Sequence, residues 1–235
     1  MKNQNILEFD YYLFDLDNSL LDIPTSSEYF DTILFKTLEW FEIEKIPIRK
    51  ERDNFWGLGV EYIDLLKVWG VYLENYGKFW KVFDSIDFKN RKILINQKKI
   101  RLYSDVIEVL EKLAKLNKKL AIVSNTAKYI VDYIVSIFGI DKYVHYAFGL
   151  GYEKEQEIAK PSPEGIKFTL KKLKFNSELS KAIMIGDSKV DIYAAKRANI
   201  YACLIKRELE RYNNGYNKWK YKPDYIIDNL NVFFF

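Results

Sequence analysis

Hydrophobic and polar positions change their period twice along the chain. Tyr11-Tyr12-Leu13-Phe14 is an unbroken apolar run that ends in Asp15, and such a run suits a strand buried on both faces of a parallel sheet. Asp22-Ile23-Pro24-Thr25-Ser26-Ser27 is turn-rich and reads as a linker. From Glu28 to about Asn96 the period becomes helical and aromatics are dense. Phe30, Ile33, Leu34, Thr37, Leu38 and Phe41 fall at helix spacing, as do Tyr62, Leu65, Leu66, Trp69 and Leu73.

From about Ile100 short apolar runs alternate with amphipathic stretches. Val109, Leu110, Leu113 and Leu116 predict a helix over 105–116. Leu120-Ala121-Ile122-Val123 predicts a strand ending at Ser124-Asn125. Ile130, Val131, Ile134, Val135 and Phe138 mark a helix over 126–138 that Gly139 stops. A strand over 143–148 and a polar loop over 149–159 follow. Ser162 as N-cap and Pro163 at the first helical position open a helix through Ile166, Leu170 and Leu173. Ala182-Ile183-Met184-Ile185-Gly186 is another buried strand, with a helix beyond it to about Ala198 and strands at 201–205 and 225–227.

This alternation predicts an α/β fold, a Rossmann-like parallel sheet with helices on both faces, interrupted by an inserted all-helical domain. The expected organisation is a core of 1–22 and 99–235 with an insert of 23–98.

Composition narrows the chemistry. A chain of 235 residues, 49% hydrophobic, can bury a full core. Its one cysteine, Cys203, and one histidine, His145, leave no disulfide framework, no Cys/His zinc site and no catalytic pair needing more than one imidazole. Reactive groups are thus Asp, Lys and Ser. The charge of +4 arises from 37 basic and 33 acidic residues interspersed along the chain, which predicts no nucleic-acid partner and suits a small anionic substrate. No apolar run has the length of a signal peptide or a membrane span, so a soluble cytoplasmic protein without a membrane partner is expected.

The polar residues that end the apolar runs carry the candidate chemistry. Asp15 and Asp17, two apart after the first strand, can reach one side of a loop and share a divalent cation and a substrate; one carboxylate can attack a phosphoryl centre while the other handles protons. Taken alone, the pair is equally a polar strand-exit turn. Ser124 with Asn125 ends the second strand, and Asp187 ends the fourth with Asp191 one turn on. Lys160 precedes a helix at the same sheet edge.

Together, Asp15-Leu16-Asp17-Asn18-Ser19, Ile122-Val123-Ser124-Asn125, Lys160-Pro161 and Gly186-Asp187-Ser188-Lys189-Val190-Asp191 resemble the motifs of the haloacid dehalogenase (HAD) superfamily of phosphohydrolases. The likeness covers roughly 10–22 and 100–230. The helical insert matches in position and type the C1 cap of that family. The resemblance implies that Asp15 is the nucleophile that takes the phosphoryl group, and that Asp17 protonates the leaving oxygen and then activates water. Ser124 and an amide near Asn125 would hold phosphoryl oxygens, and Lys160 would neutralise them and fix Asp15. The implied cofactor is Mg²⁺, on Asp15, Asp187, the backbone carbonyl of Asp17 and Asp191, the last as ligand or as orienting partner. The family's usual glycine and threonine after the second Asp are here Asn18 and Ser19; Asn tolerates a left-handed turn and Ser keeps the hydroxyl.

The implied function is a Mg²⁺-dependent phosphatase acting on a small phosphorylated metabolite such as a sugar phosphate, a nucleotide or a phosphoglycolate-like ester, as monomer or homodimer. A phosphomutase and a non-catalytic module on the same scaffold are the alternatives. The paired carboxylates argue against a dehalogenase. The aromatics of the insert read as packing, with one or two near the cleft contacting the leaving group. Arg49, Lys50 and Arg52 read as a solvated charged turn, with recognition of a second anionic group as the other reading. His145 and Cys203 are assigned structural roles, 207–222 a surface excursion, and Phe233-Phe234-Phe235 a place docked on the core.

Overall fold

The structure, a computed structural model, describes residues 8–56, 58, 61–152, 154–207 and 215–233. In chain order the strands are β1 (Tyr11–Phe14), β2 (Leu21–Asp22), β3 (Arg101–Leu102), β4 (Lys119–Ala127), β5 (Tyr146–Leu150), β6 (Ala182–Gly186), β7 (Tyr201–Ile205) and β8 (Tyr225–Ile227). The helices are α1 (Ser26–Trp40), α2 (Arg49–Arg52), α3 (Tyr62–Val68), α4 (Gly77–Asn96), α5 (Val106–Lys115), α6 (Lys128–Ile137), α7 (Glu164–Lys172) and α8 (Lys189–Arg197).

Six strands form one parallel sheet in the order β5-β4-β1-β6-β7-β8. Their apolar runs alternate between two buried layers, which is why they read as continuous. Tyr12, Phe14, Ile122, Ile183 and Ile185 pack on one side with Val109 and Leu110 of α5 and Ile130 and Ile134 of α6. Leu13, Val123, Met184 and Leu204 pack on the other with Ile166 of α7 and Ile192 of α8. Burying one such side chain stabilises the fold by roughly 1.5–3 kcal/mol.

The central place of β1 decides where chemistry can occur. Phe14 sits level with Ile122 of β4 and Ile185 of β6, so three neighbouring strands deliver their next residues to one edge. That edge is the carboxyl end of the strands, where the sheet order reverses about β1.

The stretch read as a linker is more structured than expected. Of residues 22–27, Asp22 belongs to β2, which pairs antiparallel with Arg101–Leu102, and Ser26 and Ser27 open α1, so both connections to the inserted helices run through one short ribbon. Two-residue strands are too short to show an alternating pattern. The insert has its own apolar cluster, built on Ile33, Leu34 and Leu38 of α1, Leu66 of α3, and Phe79 and Phe83 of α4. Helix α3 ends at Val68, with Gly70 at φ 88°, so Leu73 lies beyond the helix that its spacing suggested.

Other boundaries shift as well. Strand β4 continues to Ala127 through a register change after Val123, so α6 starts at Lys128, not Thr126. The third sheet strand is displaced to Tyr146–Leu150, and the polar loop after it contains a 3₁₀ turn at Lys154–Ile158. Helix α7 is capped by Pro163 without a side-chain bond, and Ser162 lies one residue further out. Phe233 is buried against the Tyr12 ring, at 5.8 Å between centroids; Phe234 and Phe235 lie outside the described residues. No described helix is long and apolar enough to cross a membrane.

Cys203 is fully buried in β7, and burial raises its thiol above the usual range. The thiol is therefore expected to stay unreactive towards an aromatic disulfide reagent in native protein and to titrate fully in denaturant. Reaction at a native rate like that of a free thiol would contradict the packing of β7.

Candidate active site

Asp15 follows β1 directly, and its amide donates to the Ile185 carbonyl at 2.8 Å, which holds the first residue of the loop against β6. The chain then turns through Asn18 at φ 58°, a left-handed conformation that Asn accepts more readily than most residues. Ser19 keeps its hydroxyl near Asp15, with Oγ donating to Oδ2 at 3.5 Å. Arg207, read above as the start of a surface excursion, instead fixes this loop from β7. Its guanidinium donates to the Ser19 carbonyl at 2.9 and 3.1 Å and to Asp105 Oδ2 at 2.7 Å. Residues 208–214 of that stretch lie outside the described part.

Lys160 is buried, and its ammonium uses three donors in three directions. It reaches Asp15 Oδ1 at 2.5 Å, Asp191 Oδ1 at 2.6 Å and the Val123 carbonyl of β4 at 2.8 Å. Asn125 sets the approach of Lys160, since its side-chain amide donates to the Lys160 carbonyl and accepts from the Lys160 amide, both at 2.8 Å. Ser124 is buried beside it, its Oγ accepting from the Thr126 amide at 3.1 Å. Burial alone would lower the pKa of the lysine; Asp15 and Asp191 outweigh it and hold Lys160 charged.

Asp15, Asp187 and Asp191 are all buried, and each offers a carboxylate oxygen within 4.8 Å of the others'. Asp191 spends both oxygens locally, Oδ1 on Lys160 and Oδ2 on the amide and hydroxyl of Ser188 at 3.0 and 2.5 Å, as a capping box for α8. It lies so close to the end of β6 that a Cβ at Gly186 would sit 2.3 Å from its Cγ; only glycine fits there. Asp15 is pushed well above the ordinary carboxylate range, first by burial and then by Asp191 and Asp187, against the pull of Lys160. A divalent cation would relieve that excess of negative charge, and an oxygen-only donor set suits a hard ion such as Mg²⁺.

Asp17 stands apart from this cluster. Its Oδ1 and Oδ2 accept from Nη1 and Nη2 of Arg91 at 2.6 and 2.7 Å, and Oδ2 also accepts from Thr126 Oγ1 at 2.8 Å. Arg91 belongs to α4 of the insert, has no exposed surface, and turns its Nε onto Asp87 at 2.8 and 2.9 Å. Tyr29 of α1 completes the network by donating to Asp87 Oδ1 at 2.5 Å. The motif reading found neither Arg91 nor Thr126.

Above these groups a cavity of about 1000 Å³ lies between sheet edge and insert. Its floor includes Asp15, Asp17, Ser124, Lys160 and Asp187, and its upper wall includes Phe30, Trp56, Trp80 and Phe83. Helix α4 meets the core at Tyr152, where a Cβ on Gly77 would fall 1.8 Å from the Tyr152 carbonyl oxygen. Arg52 is no solvated residue, being buried with both Nε and Nη2 on Asp31 at 2.7 Å. Arg49 lines the cavity and binds Asp53 at 2.8 Å and Asp31 at 3.2 Å.

The sequence pattern described as haloacid dehalogenase-like hydrolase matches residues 12–205. A pyrophosphatase PpaX from Oceanobacillus iheyensis is 29% identical over 143 residues, 61% of this chain and 63% of that protein. A phosphoglycolate phosphatase from Colwellia psychrerythraea is 33% identical over 130 residues, 55% of this chain and 54% of the relative. The matched segments thus span less than two thirds of either relative. The crystal structure of CbbY from Rhodobacter sphaeroides in complex with phosphate aligns at a TM-score of 0.70 with 16% identity, over 94% of this chain and 95% of that one, a likeness of fold.

Proposed function

Because the chain belongs to the haloacid dehalogenase-like hydrolase family, we propose that it is a Mg²⁺-dependent phosphatase of small phosphorylated metabolites, working through an aspartyl-phosphate on Asp15. The observation that carries this reading is the buried group of Asp15, Lys160, Asp187 and Asp191 beneath a cavity large enough for a small ester. Residues 23–98 act in it as a cap that screens the site from water.

Asp15 attacks phosphorus, the bond to the leaving oxygen breaks, and Asp17 delivers a proton to that oxygen. Water then attacks the same phosphorus, Asp17 takes its proton, and the Asp15–phosphorus bond breaks to release phosphate. Lys160 and Ser124 supply charge and a hydrogen bond to the phosphoryl oxygens, and Lys160 keeps the Asp15 carboxylate oriented. Asp15 and Asp187 would hold Mg²⁺ with the Asp17 carbonyl, while Asp191 chiefly positions Lys160 and Ser188. When bound, the ion supplies neutralisation of phosphoryl charge. Among the described residues Asp17 accepts three side-chain hydrogen bonds, two from Arg91 and one from Thr126, which fix its carboxylate at the cavity floor.

The test is phosphate release from a panel of acetyl phosphate, sugar phosphates, nucleoside monophosphates, phosphoglycolate and pyrophosphate. The names of the two relatives put the last two on that panel. Release is expected with Mg²⁺ and is expected to vanish in excess EDTA. A folded, Mg²⁺-loaded protein that releases phosphate from none of them would sink the reading.

A further inference from the structure

The cap side of the cavity is aromatic and acidic, and these two properties select one class of leaving group. Phe30, Trp56 and Phe83 follow one another at 6.1 and 6.0 Å between ring centroids, and Phe55 and Trp80 join the group at 5.1 Å from Trp56 and 5.5 Å from Phe83 respectively. Phe55 and Phe83 are also core residues of the cap. Trp56 is 40% exposed, and for a tryptophan facing a cleft that leaves a large ring surface for a ligand.

Asp84 of α4 lies in the same wall, 6% exposed, hydrogen-bonded to Tyr152. It forms no ion pair among the described residues, because Arg91, two turns further on, is committed to Asp87 and Asp17. Burial first, and then the charge of Asp87, push its pKa up to about 8, against Arg91 and the Tyr152 hydrogen bond. Asp84 thus keeps its proton near neutral pH when no ligand cation is near, and an ammonium brought by a ligand would draw it into the ionised form with release of that proton. Arg49, the cation on the cap side of the lining, is already matched by Asp53 and Asp31, and Glu61 adds a further carboxylate there; Glu157, Lys189 and Arg197 line the core side. A second phosphate or a carboxylate on the cap side of the cavity would meet these carboxylates and the negative faces of the rings, away from Lys189 and Arg197.

We propose that the leaving group of the substrate is an amino alcohol whose ammonium sits between the aromatic wall and Asp84. The proposal rests on the phosphatase reading above. It draws on two forces with the same preference, attraction of a cation to ring faces and pairing with a buried carboxylate, and neither acts on a neutral group of the same shape.

The experiment compares phosphocholine with 3,3-dimethylbutyl phosphate, its neutral carbon isostere, by calorimetric titration of the Asp15→Asn protein in Mg²⁺. The ammonium ester is expected to bind about tenfold tighter or more, and the preference is expected to fall by about threefold or more when Asp84→Asn is added, the remainder being the attraction of the rings. Equal or tighter binding of the neutral ester overturns the proposal. So does a preference that Asp84→Asn leaves unchanged, or binding of neither ester by the folded protein. Binding is read here without turnover, so this result is separate from the phosphatase reading, which acetyl phosphate hydrolysis by the unaltered enzyme decides.

Discussion

The Asp15→Asn protein is expected to lose phosphate release by roughly 10⁴-fold or more, the scale on which removal of a covalent nucleophile acts. Its fold should survive. Asn has the shape of Asp, the Asp15 amide still donates to Ile185, and Lys160 keeps Asp191 and the Val123 carbonyl as acceptors. The substitution also removes a charge that the site holds at a cost, since Asp15 is raised by burial and by two carboxylate neighbours. Thermal unfolding without Mg²⁺ should therefore show a midpoint equal to or above that of the unaltered chain, while turnover with Mg²⁺ is gone. Retention of more than about one per cent of activity would remove Asp15 from the role of nucleophile.

Arg91→Met is expected to destabilise the protein by about 3–5 kcal/mol, the range found when one partner of a buried ion pair is taken away. The guanidinium satisfies Asp87 and Asp17 at once and has no exposed surface, so its loss leaves two carboxylates facing a place that water reaches poorly. Asp87 is already raised by burial and is pulled back by Arg91 and Tyr29. Urea unfolding measures the effect. A second variant identifies its cause, because Asp87→Asn in the Arg91→Met background removes one orphaned charge and should recover part of the loss. A change below about 1 kcal/mol in the single variant would mean that the pair behaves as a surface ion pair.

The grouping of candidate residues at the sheet edge was legible because each strand ends where an apolar run breaks. Phe14 to Asp15, Val123 to Ser124 and Gly186 to Asp187 are visible changes of residue type, and parallel pairing brings those breaks together. Lys160 could be placed because it stands just before a helix whose start Pro163 marks.

What remained hidden depended on contacts across long separations. Arg91 and Asp17 are 74 residues apart, and Thr126 and Asp17 are 109 apart. On α4, Asp84, Asp87 and Arg91 recur at three- and four-residue spacing, a pattern that in one sequence looks like a solvated face. The phenylalanines at 79, 83 and 88, interleaved with those charges, were the available sign that this face is buried. The turn at Arg49 misled for a similar reason, because Asp31, which draws in Arg52, lies 21 residues earlier on α1.

The ribbon of β2 and β3 joins the two ends of the helical insert by the pairs Leu21↔Leu102 and Asp22↔Arg101. Paired antiparallel residues lie about 4.5–5.5 Å apart, so a tight turn could close the gap. The insert thus enters and leaves the core at one short ribbon, and beyond it is tied down by Arg91 on Asp17 and by the close approach of Gly77 to Tyr152. A segment whose ends meet at that distance satisfies the geometry of the junction, but it must also supply a partner for Asp17 in place of Arg91. Exchanging the insert at that ribbon would replace the upper wall of the cavity, with Phe30, Trp56 and Trp80, while Asp15, Ser124 and Asp187 stay where the sheet puts them.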